Sequence, residues 1–180
     1  MQPDHESGNA NLSLFQAIVE QAPGAIIFAD RGGAIRVWNR GAAIVFGYAS
    51  AEVLGCSLDL IIPERLRSAH WEGFRRAIDT GQTKYADRVL TTRSVHKDGR
   101  KLYVDLSFSM LKDRAGAVTG ALAIARNCTT RYLLDGALRA RVLAMEKKHL
   151  MLHPSRSRPL GLGRTAFFQP PRRGEGTNVR

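Results

Sequence analysis

Residues 96–111, HKDGRKLYVDLSFSML, decide the fold. From Leu102 to Met110 every second residue is apolar, and Tyr, Asp and Ser alternate with these apolar residues. A period of two is that of a β-strand with one face buried and the other in water. The Asp98-Gly99 pair just before this strand is typical of a tight hairpin turn. The stretch therefore predicts an antiparallel hairpin that contributes one face to a hydrophobic core.

Strand patterns continue on both sides of this hairpin. Residues 83–95 form the preceding strand candidate, and a last strand carries Val118, Leu122 and Ile124 on one face. Nearer the N-terminus, AIIFAD and AIRVWN flank the glycine turn DRGG, which indicates a second hairpin. The sequence thus predicts five strands in two groups.

Helical patterns fill the rest of the first 150 residues. Residues 12–22 have helical spacing before a Pro-Gly stop, and Asn39 and Ser50 can each cap a short helix. A longer helix begins at Pro63 and ends before Gly81. Residues 131–150 have apolar residues three and four positions apart, as in a linker or dimerisation helix.

The ends of the chain differ in composition from its middle. Residues 1–11 are polar without a period, and we expect them to be disordered. Residues 151–180 are rich in Pro, Gly, Ser and Arg, and we expect a basic disordered tail there. Of the net charge of +11, residues 131–180 carry 11 of the 27 Lys and Arg and 3 of the 16 Asp and Glu. Such a tail attracts nucleic acid only without specificity.

Several classes of protein are disfavoured by what the sequence lacks. No run of 18 apolar residues predicts a membrane span, and the polar N-terminus does not resemble a signal peptide, so we expect a cytoplasmic protein. Cys56 and Cys128 are far apart and show no metal-binding spacing with the histidines. No nucleophile–base pair, catalytic carboxylate pair or phosphate loop is present, so we expect no enzyme activity.

The element order and four segments resemble the PAS sensory family. The segments are AIIFADRGGAIRVWNRGAAIVFGYASAEVLG, LIIPE, the opening stretch and VTGALAIARNCTTR. The resemblance implies an α+β fold over residues 12–130: a five-stranded antiparallel sheet with helices on one face, flanked by N- and C-terminal helices. It also implies a pocket between the sheet and the helix that begins at Pro63.

What such domains do follows from the same resemblance. It implies a sensory or regulatory module in signal transduction that binds a small ligand or cofactor and relays the signal through its exit helix. It implies a homodimer whose output partner is a protein such as a histidine kinase or a transcription regulator. The family often ends its last strand in Asp-x-Thr, whereas this chain has Asn127-Cys128-Thr129, which loses a charge-assisted hydrogen bond.

His70 is the most informative residue of the predicted pocket. Leu66, His70 and Phe74 are spaced by four, so they share one face of the helix. A neutral imidazole among apolar neighbours is a good haem-iron ligand. The segment IIPERLRSAH resembles that of FixL-type oxygen sensors, which implies haem b with His70 as the proximal iron ligand. By the same resemblance Arg76 and Lys84 lie near the propionates, and the pocket wall is formed by Leu66, Phe74, Leu90, Leu106, Phe108 and Met110.

The cofactor stays open between two alternatives. The resemblance places Leu90 where the oxygen sensors carry an arginine, so bound oxygen would lack its charged donor, whereas CO and NO need that donor less. In the second alternative His70 is a hydrogen-bonded core residue of a cofactor-free interaction or dimerisation module. Cys56 does not lie in a segment like that of flavin photosensors, which argues against a light-driven flavin adduct.

Overall fold

The computed structural model of this chain describes residues 4–85 and 88–152. The chain divides into two compact units, Met1–Asp135 and Gly136–Arg180. Residues 153–180, most of the predicted disordered tail, and residues 1–3 lie outside the described part of the chain.

Five antiparallel strands form one sheet, as the sequence predicts. They are β1 (Ala25–Asp30), β2 (Ile35–Trp38), β3 (Leu90–Val95), β4 (Lys101–Lys112) and β5 (Val118–Asn127), in the order β2-β1-β5-β4-β3. The longest ladder joins β4 to β5, from Val104 opposite Asn127 to Lys112 opposite Val118. The strand in the opening stretch is therefore paired on both sides, by β3 and β5.

Helices α2 (Arg40–Phe46), α3 (Ser50–Val53) and α4 (Glu64–Thr80), with a 3-10 turn at Leu58–Leu60, pack on one face of this sheet. Helix α1 (Asp4–Gln21) precedes the first strand and contacts α2, and α5 (Thr129–Leu152) follows the last strand. Phe46 of α2, Val53 of α3 and Phe74 of α4 are buried in one cluster with Ile27 of β1 and Val104 of β4. The α+β class and the layered arrangement are confirmed.

The side chain of Asn39 connects α1, β1 and α2 at the edge of this core. Its Oδ1 accepts hydrogen bonds from the backbone N–H of Ile26 (2.8 Å) and of Ala42 (2.9 Å), so it caps α2 and also holds β1. Its Nδ2 donates to the carbonyls of Val19, at 2.9 Å, and Gly24, at 3.0 Å. Asn39 is 1% exposed, so these bonds satisfy its own buried amide. The predicted N-cap is confirmed, and it also joins α1 to the β1–β2 hairpin.

Three boundaries differ from the predicted ones. Helix α1 begins at Asp4, so residues 4–11, expected to be disordered, are helical; no proline interrupts them, and each added residue of a nucleated helix gains a hydrogen bond. Strand β3 begins at Leu90 rather than residue 83, because Lys84 and Tyr85 lie in a turn, where the N–H of Tyr85 donates to the Thr83 hydroxyl at 3.2 Å. Helix α5 extends two residues beyond the predicted 131–150 at each end.

Among the helices of residues 4–85 and 88–152, none combines the length and the apolar character needed to cross a bilayer.

The role of Asn39 gives a stability prediction. Asn39→Asp keeps the size and both acceptor bonds, but it replaces the amide donor with a buried carboxylate facing main-chain carbonyls. We expect it to lower the free energy of unfolding by about 3 kcal/mol, measured by urea denaturation. Asn11→Asp, on the exposed surface of α1, is the matched control and should change that value by less than about 0.5 kcal/mol. Equal effects of the two substitutions would contradict this role of Asn39.

Candidate functional site

Helix α4 carries the histidine that the sequence analysis singled out. Phe74 and Ile78 are buried on its inner face, and His70 lies one turn before Phe74 on the same face. The Nε2 atom of His70 is fully buried and has no hydrogen-bond partner within residues 4–85 and 88–152. Among these residues, Nε2 of His70 thus lacks the hydrogen bond that the second alternative expects.

Two aromatic rings flank the imidazole of His70. The Trp71 ring meets it edge-on, with 5.1 Å between centroids, and the Phe74 ring stacks at 6.1 Å. Burial lowers the pKa of His70, and the negative charge of Asp59 opposes this in part. The ring is thus neutral at pH 7, the form that offers a lone pair to a metal or to a hydrogen-bond donor. An unpaired buried polar atom costs about 1–3 kcal/mol, which a ligand bound there would offset.

Trp71 is itself fixed by two contacts that the sequence did not reveal. Its Nε1 donates to the Asp59 carboxylate at 2.8 Å, and Asp59 belongs to the 3-10 turn. The far edge of its ring lies over Gly33 in the β1–β2 turn, where a Cβ atom would be 2.2 Å from the ring. The sequence signalled only a turn at Gly33 and a packing role for Trp71. The contact between them depends on where α4 crosses the hairpin.

The predicted wall residues fall into two groups. Leu106 and Met110 pack against the buried cluster that contains Phe74, and Leu90 lies directly opposite Leu106 in the β3–β4 ladder. Leu66 is half-buried one turn before His70. Phe108 instead contacts the ring of Tyr85, at 6.2 Å between centroids. The structure therefore brings the apolar side chains of α4 and β4 together in one cluster. Phe108 belongs instead to a neighbouring contact with Tyr85.

The two predicted propionate partners lie in different surroundings. Arg76 forms an exposed ion pair with Glu72 at 2.8 Å, and Arg76 is six residues from His70, toward the opposite side of the helix. Lys84 places its Nζ 4.9 Å from the centroid of the Tyr85 ring, and Arg88 lies 5.3 Å from the same ring. Lys84 is thus linked to Phe108 through Tyr85, whereas Arg76 would have to leave Glu72 to reach a ligand beside His70.

The donor set at His70 suits a haem better than a bare metal ion. Within the described residues no three His, Cys, Asp or Glu side chains are grouped so that they could hold a metal ion. A haem iron needs only one or two protein ligands, since the macrocycle supplies the others. One buried, neutral, unpaired imidazole beside apolar and aromatic side chains fits that requirement.

The model of the PAS fold family matches residues 13–127. The chain belongs to the PAS family. This PAS domain covers all five strands and helix α4. The predicted family and fold are thereby confirmed.

Two curated proteins are similar to this PAS domain. The Oxygen sensor protein DosP of Escherichia coli K12 is 24% identical over 154 residues, which are 84% of this chain and 19% of DosP. An uncharacterised protein of Azorhizobium caulinodans is 28% identical over 124 residues, which are 68% of this chain and 17% of that protein. The chain therefore spans about a fifth of the length of these relatives.

Solved structures share the fold at low sequence identity. A PAS domain from Colwellia psychrerythraea has a TM-score of 0.58 at 20% identity, covering 67% of this chain and 98% of its own. An RNA-binding Light-Oxygen-Voltage receptor has a TM-score of 0.61 at 22% identity, covering 83% and 42%. A PAS domain from a two-component sensor histidine kinase has a TM-score of 0.53 at 16% identity, covering 67% and 98%.

The contact of Trp71 with Gly33 gives a packing prediction with a built-in control. Gly33 and Gly55 both have a φ of +83°, but a Cβ at Gly55 would meet nothing within 4 Å. Gly55→Ala should lower the free energy of unfolding by about 1 kcal/mol, the cost of that φ alone. Gly33→Ala should cost about 1–3 kcal/mol more, because the Trp71 ring must move.

Urea denaturation measures both costs, and near-ultraviolet circular dichroism reports the tryptophan environment. Only Gly33→Ala should change the dichroism of the tryptophans. Equal destabilisation by the two substitutions, with unchanged dichroism, would show that Trp71 does not lie on the hairpin turn.

Proposed function

We propose that this PAS domain is the sensory module of a signal-transduction protein and that it binds a small ligand through Nε2 of His70. The observation that carries the proposal is the buried, unpaired Nε2 itself. A buried polar atom without a partner is unfavourable, and such atoms in native proteins commonly mark functional positions. The aromatic and apolar side chains beside it are the lining expected of a small-molecule site.

Haem b is the ligand that best suits this donor. When bound, haem supplies an iron that can take up a gas molecule or change its redox state. Support comes from the neutral imidazole, from the resemblance of IIPERLRSAH to FixL-type oxygen sensors, and from the similarity to a protein named as an oxygen sensor. Leu90, in place of an arginine, predicts that oxygen is held less well than CO or NO.

The residues of this chain would then have separate roles in binding the haem. His70 is the candidate iron ligand, and Phe74 and Trp71 orient its ring and exclude water from it. Leu106 and Met110 offer apolar contacts from the sheet. Lys84 is a candidate for a propionate carboxylate, since an exposed ammonium loses little by turning to such a partner.

A second copy of the chain and an output protein are the proposed partners. Leu14, Phe15 and Ile18 of α1 are 56–63% exposed, and large apolar side chains clustered on a surface commonly mark an interface. We propose a homodimer that covers these side chains. The proposed output partner is a histidine kinase or a transcription regulator, which is consistent with a chain that matches about a fifth of the length of its relatives.

The second candidate function is a cofactor-free interaction module. The observation that favours it is that Leu106, Met110 and Trp71 already pack against the buried cluster, so side chains of the domain itself fill part of the space beside His70. In that case the domain acts through its dimer surface alone.

The visible absorption spectrum separates the two functions. We expect haem added to the apoprotein to give a saturating Soret band at one haem per chain. His70→Ala should weaken binding at least about tenfold, equivalent to 1.4 kcal/mol, and shift the band. His149→Ala, on the exposed surface of α5, is the matched control and should behave like the wild type.

Two outcomes would contradict haem binding through His70. One is the absence of a Soret band in the wild type; the other is a spectrum and affinity that His70→Ala leaves unchanged. An absent band together with a mass of twice 19.8 kDa by light scattering would favour the interaction module.

A further inference from the structure

The joint between the sheet and the exit helix contains a carboxylate, although this chain has Asn127 at the position where the family motif has Asp. Strand β5 ends at Asn127 and α5 begins at Thr129, whose N–H donates to Asn127 Oδ1 at 2.9 Å. The Thr129 hydroxyl accepts from the N–H of Tyr103 on β4 at 2.9 Å. These bonds fix the turn between β5 and α5, but neither involves a charged group.

The carboxylate at this joint comes from Asp105 on the neighbouring strand β4. Its Oδ2 accepts from Nη2 of Arg131, in the first turn of α5, at 2.6 Å. Its Oδ1 accepts from the hydroxyl of Thr91, the residue directly opposite on β3, at 2.6 Å. Hydrogen bonds from Thr91 and Cys128, together with the charge of Arg131, hold the pKa of Asp105 below its usual range, so the carboxylate is charged at neutral pH. Next to this pair the rings of Tyr103 and Tyr132 stack with 3.8 Å between their centroids.

Arg131 has a second carboxylate within reach. Asp135 lies one turn further along α5, and its Oδ2 is 4.0 Å from Nη1 of Arg131. The side chains of Arg131 and Asp135 are 59% and 50% exposed, and an open groove runs along Asp105, Cys128 and Leu134. Arg131 can therefore turn from one carboxylate to the other without opening the core.

We infer that Arg131 is a latch with two positions. Paired with Asp105, it holds the first turns of α5 against the sheet. Paired with Asp135 alone, it gives up its ion pair with β4, so that the Thr129–Tyr103 bond and the Tyr103–Tyr132 stack hold those turns without it, while the helix keeps its internal ion pair. Exposed ion pairs are weak, so a small change in β4 or β3 can shift the populations several-fold. The latch requires the contacts at this joint and does not depend on what binds at His70.

Hydrogen exchange of the α5 amides tests the latch in the full chain. The N–H of Tyr132 donates to the carbonyl of Cys128, so its exchange rate reports whether the first turn is held. Asp105→Asn keeps an acceptor for Thr91 but removes the charge, and we expect exchange at residues 132–135 to rise about 2- to 5-fold. Asp135→Asn removes the competing partner and should lower that exchange by up to about 2-fold.

The Arg131→Gln background makes the test specific. If Arg131 exchanges between the two carboxylates, neither Asp105→Asn nor Asp135→Asn should change exchange once Gln occupies position 131. In the Arg131→Lys background both effects should persist, because the positive charge is retained. Both should also shrink in about 0.5 M salt, which screens exposed charges. Asp113→Asn, in the β4–β5 turn, is the control substitution and should leave α5 unchanged.

Three results would overturn the latch. The first is an unchanged exchange rate in Asp105→Asn. The second is an effect of Asp105→Asn that persists in the Arg131→Gln background, which would mean that Asp105 acts through Thr91 or Cys128 and not through Arg131. The third is faster exchange in Asp135→Asn, the sign of a helix that is merely less stable. Exchange at the β1–β5 ladder, from Ala25 to Asp30, verifies in each variant that the sheet is intact.

Discussion

The buried amide of Asn39 is the constraint on which the site depends. It holds α1, the β1–β2 hairpin and the start of α2 together through hydrogen bonds to their backbone groups. The hairpin in turn presents Gly33, and only a residue without a side chain leaves room there for Trp71. Trp71 then meets the edge of His70. Asn39 thus holds the hairpin, the hairpin places Gly33 beneath Trp71, and Trp71 flanks His70, the candidate iron ligand.

The two ends of the signalling path that we propose differ in how firmly they are held. Around His70 the packing is aromatic, apolar and largely shielded from water, so a change in occupancy there must move large side chains. At the exit helix, Arg131 and its two carboxylates are mostly exposed and cost little to rearrange. A sensor benefits from this difference, because a tightly packed site converts binding into displacement and a weakly held joint responds to that displacement. Strand β4 belongs to both regions, since Leu106 faces the core and Asp105 faces the exit helix.

The fold could be predicted well because its signals are local. Alternation along Leu102–Met110 predicted a strand, Asn39 and Gly47 bracketed α2, and the spacing of His70 and Phe74 placed both on the inner face of α4. The start of α1 was missed because polar residues without a period can still extend a helix that is nucleated further along. The beginning of β3 was missed because a turn at Tyr85 interrupts an otherwise strand-like segment.

The site could be predicted only in part because its decisive contacts are not local. Asp59 and Trp71 are 12 residues apart, and Asp105 and Arg131 are 26 apart, so their pairing depends on how helices and strands cross. The loss of charge at Asn127 was visible in the sequence, but the carboxylate that replaces it on β4 was not. In the same way, spacing placed His70 on an apolar face but could not tell whether its Nε2 had a partner.

Chemical rescue of a cavity at position 70 is the most direct test of the claim that Nε2 of His70 binds the ligand. His70→Gly should lose the haem absorption of the wild type, and added imidazole should restore it by occupying the vacated space. Rescue by imidazole but not by benzene, which has a similar size and no lone pair, is the result that we predict. Haem binding by His70→Gly without imidazole, equal to that of the wild type, would contradict the account.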